Sequence, residues 1–288
     1  MTDDLRQQAI DLYDRFTHEG MPRRDFMARM VALAGSVAAA EALIGAIAAS
    51  PAAAAVVPAN DPRLRTATLT PYPRYNAYAA VPRRVRGRLP AVLVIHENRG
   101  LNEHIRDVAR RVALAGYFAL APDFLSPMGG TPADEDRARE MIGKLDLGAA
   151  VTAAAAMLDS LKRRANSNGK AGALGFCWGG AFVNRLAVAA GTRLDAGVVY
   201  YGPAPDPSEA AKVQTPLLLH HAGRDERVAQ TLLPWAAALR TAGKPVTLHT
   251  YEGANHAFNN DTSTERYNKQ AADLAWQRTL AFFREHFR

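Results

Sequence analysis

The runs "PAVLVIHE" (90–97), "AGALGF" (171–176), "AGVVYYG" (196–202) and "PLLLHHAG" (216–223) carry almost no charge and are too short for core helices. Their apolar residues are consecutive rather than alternating, which suits strands buried on both faces, as in a parallel sheet under helices. Between and after them lie stretches of helical periodicity, "HIRDVARRVALAG" (104–116), "LGAAVTAAAAMLDSLKRR" (147–164), "GGAFVNRLAVAAG" (179–191) and "LLPWAAALRTAG" (232–243). "YFALAPD" (117–123) and "VTLHTYEG" (246–253) add strands, and "AADLAWQRTLAFFREHF" (271–287) ends the chain as an amphipathic helix. This alternation from about residue 66 predicts one α/β domain over residues 61–288, with a mostly parallel central sheet covered by helices on both faces.

Cys177 is the only cysteine among 288 residues, so no internal disulfide supports the fold and the thiol is either a packing residue or a reagent. Its surroundings favour the reagent. Gly175-Phe176-Cys177-Trp178-Gly179 has the G-x-S-x-G spacing of a nucleophile elbow with Cys in place of Ser. A sharp strand-to-helix turn there leaves no room for flanking side chains and sets the thiol at a helix N-terminus, which favours thiolate. An elbow needs an acid and a His after it in chain order. Asp225, in "RDERV", and His256, in "ANHAF", each follow a strand, so the triad is read as Cys177, Asp225 and His256.

The other histidines have plainer readings: His220 and His221 as core or wall residues of a strand, His249 as structural, His18 and His286 as solvated near the termini. Asp206, in "PAPDPSEA", reads as a turn with a helix cap.

"GFCWGG", "GRDERV", "GANHAF", "APDFLSP" and "HENRGLNEHIRDVARR" together resemble the dienelactone hydrolase (carboxymethylenebutenolidase) family of the α/β-hydrolase superfamily, over nearly all of the chain from about residue 66. The resemblance implies that Glu97, at the end of a central strand, contacts the resting thiol and helps to deprotonate it. A charge pair with Arg99 or Arg106 is the other use for that carboxylate. The fold implies oxyanion donors at the backbone amides of Trp178 and Asn98. Well-known members bind a substrate carboxylate with two arginines; Arg139 matches the first, while Asn259 and Asn260 stand where the second is expected. An amide cannot replace the charge, so the preferred substrate is expected to be an ester, lactone or thioester other than dienelactone.

The expected activity is ester or lactone hydrolysis through a Cys177 thioester, with no metal or organic cofactor. A peptidase or acyltransferase with the same triad, a redox-responsive thiol protein and a non-catalytic exported binding module are the alternatives. No Cys/His cluster has metal-ligand spacing along the chain.

Residues 1–60 read as a separate extension. "MTDDLRQQAIDLYDRFTHEG" has helical spacing, and Arg23, Arg24 and Phe26 precede an Ala-rich apolar stretch, resembling a twin-arginine export signal cut between Ala48 and Ala55. Periplasmic or secreted protein is then expected; the alternative is a retained helical extension packed on the enzyme or a partner subunit. Glu41 interrupts the apolar stretch and argues against a stable membrane span. The formal charge of +7 comes from short clusters such as "PRRVRGR" without interleaved aromatics, so a solvated basic face is expected rather than nucleic-acid binding. The partner expected is a small ester or lactone; the sequence leaves the oligomeric state open.

Overall fold

The computed structural model describes residues 3–48 and 55–288. Its centre is an eight-stranded sheet in the order β1-β2-β4-β3-β5-β6-β7-β8. The strands are β1 (Leu64–Tyr72), β2 (Tyr75–Pro82), β3 (Leu89–Ile95), β4 (Phe118–Pro122), β5 (Ser167–Phe176), β6 (Ala196–Tyr200), β7 (Leu217–Ala222) and β8 (Val246–Tyr251). From β4 to β8 every neighbouring pair is parallel, while β2 pairs antiparallel with both β1 and β4.

The consecutive apolar residues of the central strands serve two cores. Along β3, Ala91, Leu93 and Ile95 pack into one cluster and Val92 and Val94 into the other, because successive side chains leave a strand on opposite faces. The first core lies under α6 (Leu147–Lys162), α7 (Trp178–Ala190) and α8 (Glu226–Thr241); the second lies under α4 (Glu103–Leu114) and α9 (Lys269–His286). A short polar helix, α5 (Glu135–Gly143), precedes α6. His220 is fully buried and bonded to the Tyr251 hydroxyl and Thr279, and His221 is also buried in β7, as expected of core residues. Asp206 caps a short 3-10 helix by accepting from the Ser208 amide.

The N-terminal segment folds into three helices, α1 (Asp3–His18), α2 (Arg23–Ala34) and α3 (Val37–Ile47). Their apolar residues form a cluster of their own, with Ile10, Tyr13, Phe26, Met30, Leu43 and Ile47 buried in it. Of the twin-arginine residues, Arg23 pairs with Asp136, Arg24 lies beside Asp25 and Phe26 is in the cluster. The cleavage segment read from the sequence falls on residues 49–54, outside the described residues. Beyond it Asp107 accepts from the Val56 and Val57 amides at 3.1 and 2.8 Å, tying the chain to α4. Among the described residues no single helix is long and apolar enough to cross a membrane.

Candidate active site

Glu97, Cys177, Asp225 and His256 follow β3, β5, β7 and β8, and so converge at the carboxyl edge of the sheet, where side chains in an open parallel sheet stand clear of the helices. Cys177 links β5 to α7 with φ 55° and ψ −116°, a conformation that costs a non-glycine residue on the order of 1–3 kcal/mol and is held here by bonds on both sides. Its amide donates to the Tyr200 carbonyl, and its own carbonyl accepts from the Ala181 amide. The thiol is 5% exposed.

Asp225 begins α8 and accepts from the Val228 amide, which fixes one carboxylate oxygen; the other takes the His256 Nδ1 proton at 2.5 Å. Nε2 of His256 is buried, makes no directed hydrogen bond and faces the thiol. Burial alone would depress this imidazole, but the charges of Asp225 and of a Cys177 thiolate more than offset it and push the His256 pKa up to about 10. Burial acts to raise Asp225, and the charge and hydrogen bond of His256 overcome it and hold the carboxylate below its ordinary range.

The ion pair therefore adds stability in full below the ordinary imidazole value of 6.5 and loses it as pH rises through about 10. In an NMR titration the wild-type His256 ring stays protonated through about pH 8, and Asp225→Asn lowers its pKa toward the value burial favours. A wild-type ring that titrates near the ordinary value of 6.5, with no change in the Asn variant, contradicts the pairing.

Glu97 is buried and accepts from Asn260 Nδ2 at 3.1 Å; Arg99 instead pairs with Glu135, at 3.1 Å, and with the Tyr13 hydroxyl. Asn260, expected at the substrate, is buried and committed to Glu97 and to Thr262, so it positions the carboxylate and does not line the void. Arg139 does not reach the void either: it pairs with Asp136 and lies over the Phe16 ring at 4.9 Å. Trp178 opens α7, so its amide has no acceptor within the helix, and its ring stacks on His96 at 5.2 Å. His96 accepts from the Phe124 amide at Nε2, which leaves Nδ1 to donate to the Glu97 carbonyl and steadies the loop carrying Asn98.

The void at Cys177 measures only about 20 Å³. Glu97, Asn98, Cys177 and His256 line it together with Arg99 and Arg266, which are buried. Its remaining wall comes from Ala257 and, from the N-terminal unit, Thr17 and His18. His18 is not solvated as its place near the terminus suggests: Nε2 lies 4.0 Å from Cys177 Sγ, and its ring meets that of His256 edge to face at 4.7 Å. Burial and the neighbouring His256 push its pKa well down, so the ring is neutral. The His18, Cys177 and His256 donors lie within 4.8 Å of one another, one sulfur and two imidazole nitrogens of the types that can hold a zinc-like ion, although no metal spacing exists along the sequence. His18, Arg99 and Arg266 are the site residues that sequence reasoning missed.

A parallel sheet with a thiol on a strained elbow and an Asp–His pair at its carboxyl edge defines an α/β hydrolase. The dienelactone hydrolase family model matches residues 75–287. A protein of Escherichia coli K12 assigned as a carboxymethylenebutenolidase is 33% identical over 258 residues, 83% of this chain and 94% of the other. A structure assigned as a dienelactone hydrolase of Klebsiella pneumoniae subsp. pneumoniae superposes with a TM-score of 0.70 at 27% identity, covering 77% of this chain and 99% of that one. The dienelactone hydrolase-like promiscuous phosphotriesterase P91, from metagenomic libraries, gives a TM-score of 0.64 at 25% identity over 78% and 98% of the two chains. The chain belongs to the dienelactone hydrolase family and is a hydrolase.

Proposed function

We propose that this hydrolase cleaves a small carboxylic ester or lactone through a covalent thioester on Cys177. The observation that carries the reading is the His256 ring held at 2.5 Å by Asp225 with its free Nε2 facing the only thiol. The thiolate attacks the carbonyl carbon, and the Trp178 and Asn98 amides receive the oxyanion. As the tetrahedral adduct collapses, imidazolium His256 gives its proton to the leaving alkoxide. Acylation removes the negative charge from sulfur, and with it one of the causes that raise His256, so the ring becomes the better base for the second half. It then takes a proton from water, the hydroxide attacks the thioester, and collapse expels the Cys177 thiolate and the carboxylic acid with the proton left on His256, which restores the resting ion pair.

Two buried cations on the wall of the void, Arg99 and Arg266, bear on substrate choice. The sequence offered Arg139 alone for a substrate carboxylate; an acidic group on the substrate would instead be met by Arg99 and Arg266.

The test is turnover of a panel of aryl esters, lactones with and without a carboxylate, thioesters, anilides and a phosphotriester, before and after alkylation of Cys177 with iodoacetamide. Hydrolysis of an ester or lactone that alkylation abolishes supports the reading, and preference for anilides points to the peptidase alternative. Turnover that survives complete alkylation, or none across the panel, overturns it.

A further inference from the structure

We propose that residues 3–48 form the substrate gate of this enzyme, and that His18 is a specificity-determining residue which limits the acyl groups admitted to Cys177. The consequence for turnover rests on the ester hydrolase reading; the gate itself does not.

The void beside the thiol, about 20 Å³, is room for about one water and for no ester. Among the described residues that line it, Thr17 and His18 belong to the N-terminal unit, with the neutral His18 ring 4.0 Å from Sγ. A substrate must therefore displace that unit, and its construction suits displacement. Among the described residues its apolar cluster is made of its own side chains and shares none with the two cores of the main domain. The seam is polar instead. Arg6 pairs with Glu265 at 2.9 Å, Gln7 bonds Asn255 at 2.7 Å and Arg224 at 2.6 Å, and Asp14 pairs with Arg266 at 3.2 Å. Along the flank where α1 passes Asp225 and Arg227 the seam already opens into a cavity of about 620 Å³. Interfaces of this polar kind between self-contained units move relative to one another by default.

The contacts at the inner end of the seam also occupy groups a substrate would need. Tyr13 holds Arg99, Asp14 holds Arg266, and the Thr17 carbonyl accepts from the Asn98 side chain at 3.3 Å. Opening the gate releases both arginines and the oxyanion loop from the N-terminal unit at once, Arg99 keeping its pair with Glu135, while closing returns His18 to the thiol. The segment whose composition resembles a leader thus supplies a wall of the active site in the chain that retains it.

Because the chain has a single cysteine, its alkylation rate reads access to the site directly. In the full chain the double variant Arg6→Ala/Gln7→Ala, both changes lying outside the void, loosens the seam and speeds iodoacetamide labelling of Cys177 by about fivefold at an unchanged melting midpoint. Labelling within a factor of about two of wild type overturns the gate, whether or not any ester is turned over. His18→Ala raises the kcat/KM of a long-chain aryl ester relative to the acetate by about tenfold, as enlarging an acyl pocket does. A fall that is equal for all chain lengths assigns His18 another role and overturns the specificity assignment.

Discussion

Cys177→Ala lowers kcat/KM for any ester or lactone the wild type hydrolyses by at least about a thousandfold, the loss expected when a nucleophile is removed and only binding and oxyanion donors remain. The loss is chemical rather than structural. The side chain is small, and the backbone bonds to Tyr200 and Ala181 that hold the elbow do not involve sulfur. The variant therefore keeps its fold, as circular dichroism checks, while its rate is lost. His256→Ala falls by a comparable factor, since without the ring neither the alkoxide nor the attacking water exchanges its proton. A redox thiol protein would respond to the first change and ignore the second. Equal activity of wild type and Cys177→Ala, measured side by side, would remove the sulfur from the mechanism altogether.

The main domain was legible because its strands are buried on both faces and its helices on one, so the chemistry of burial is written along the chain. β3 and β5 to β8 and their helices begin and end within a few residues of the expected positions, except that α8 starts six residues earlier, at Glu226. β1 left no such signature. Most of its residues are exposed at the sheet edge and Pro71 interrupts the pattern, so no apolar face repeats along it. α5 was missed for a similar reason: it buries only Ala138 and Ile142. α3 is ambiguous in the opposite sense, because an Ala-rich helix packed inside a small cluster has much the same composition as an export leader, and composition alone does not separate the two readings.

Cys177, Asp225 and His256, which the structure brings to one edge of the sheet, stand out in the sequence because each follows an apolar strand in a fixed chain order. His18 follows no strand and lies 159 positions from Cys177, with nothing in its neighbours to mark it. Arg266 reaches the void from the loop before α9, and Arg99 from beside Glu97, where it read as a counter-charge. Arg139 and Asn260 were placed by analogy of position. Their side chains are spent on Asp136 and Phe16 in one case and on Glu97 and Thr262 in the other.

Gly175→Ala destabilises the fold by about 3 kcal/mol or more, enough to leave little folded protein in a chain of ordinary stability. A Cβ at Gly175 would lie 2.1 Å from the Gly179 carbonyl oxygen and 2.4 Å from its carbon, and both are backbone atoms of the first turn of α7 that cannot rotate away. Gly179 is equally confined from the other side, where a Cβ would meet the Ile95 and His96 carbonyls at 2.5 Å. The elbow is thus clamped between β3 and α7. Any relief of the clash shifts the turn that holds Cys177 at positive φ, so activity falls together with the urea midpoint. Gly143→Ala, on α5 with nothing within 4 Å of the added carbon, serves as the matched control and stays within about 1 kcal/mol of wild type. Equal urea midpoints for Gly175→Ala and Gly143→Ala would mean that the turn can yield without loss, and that the paired glycines do not hold the thiol in its strained conformation.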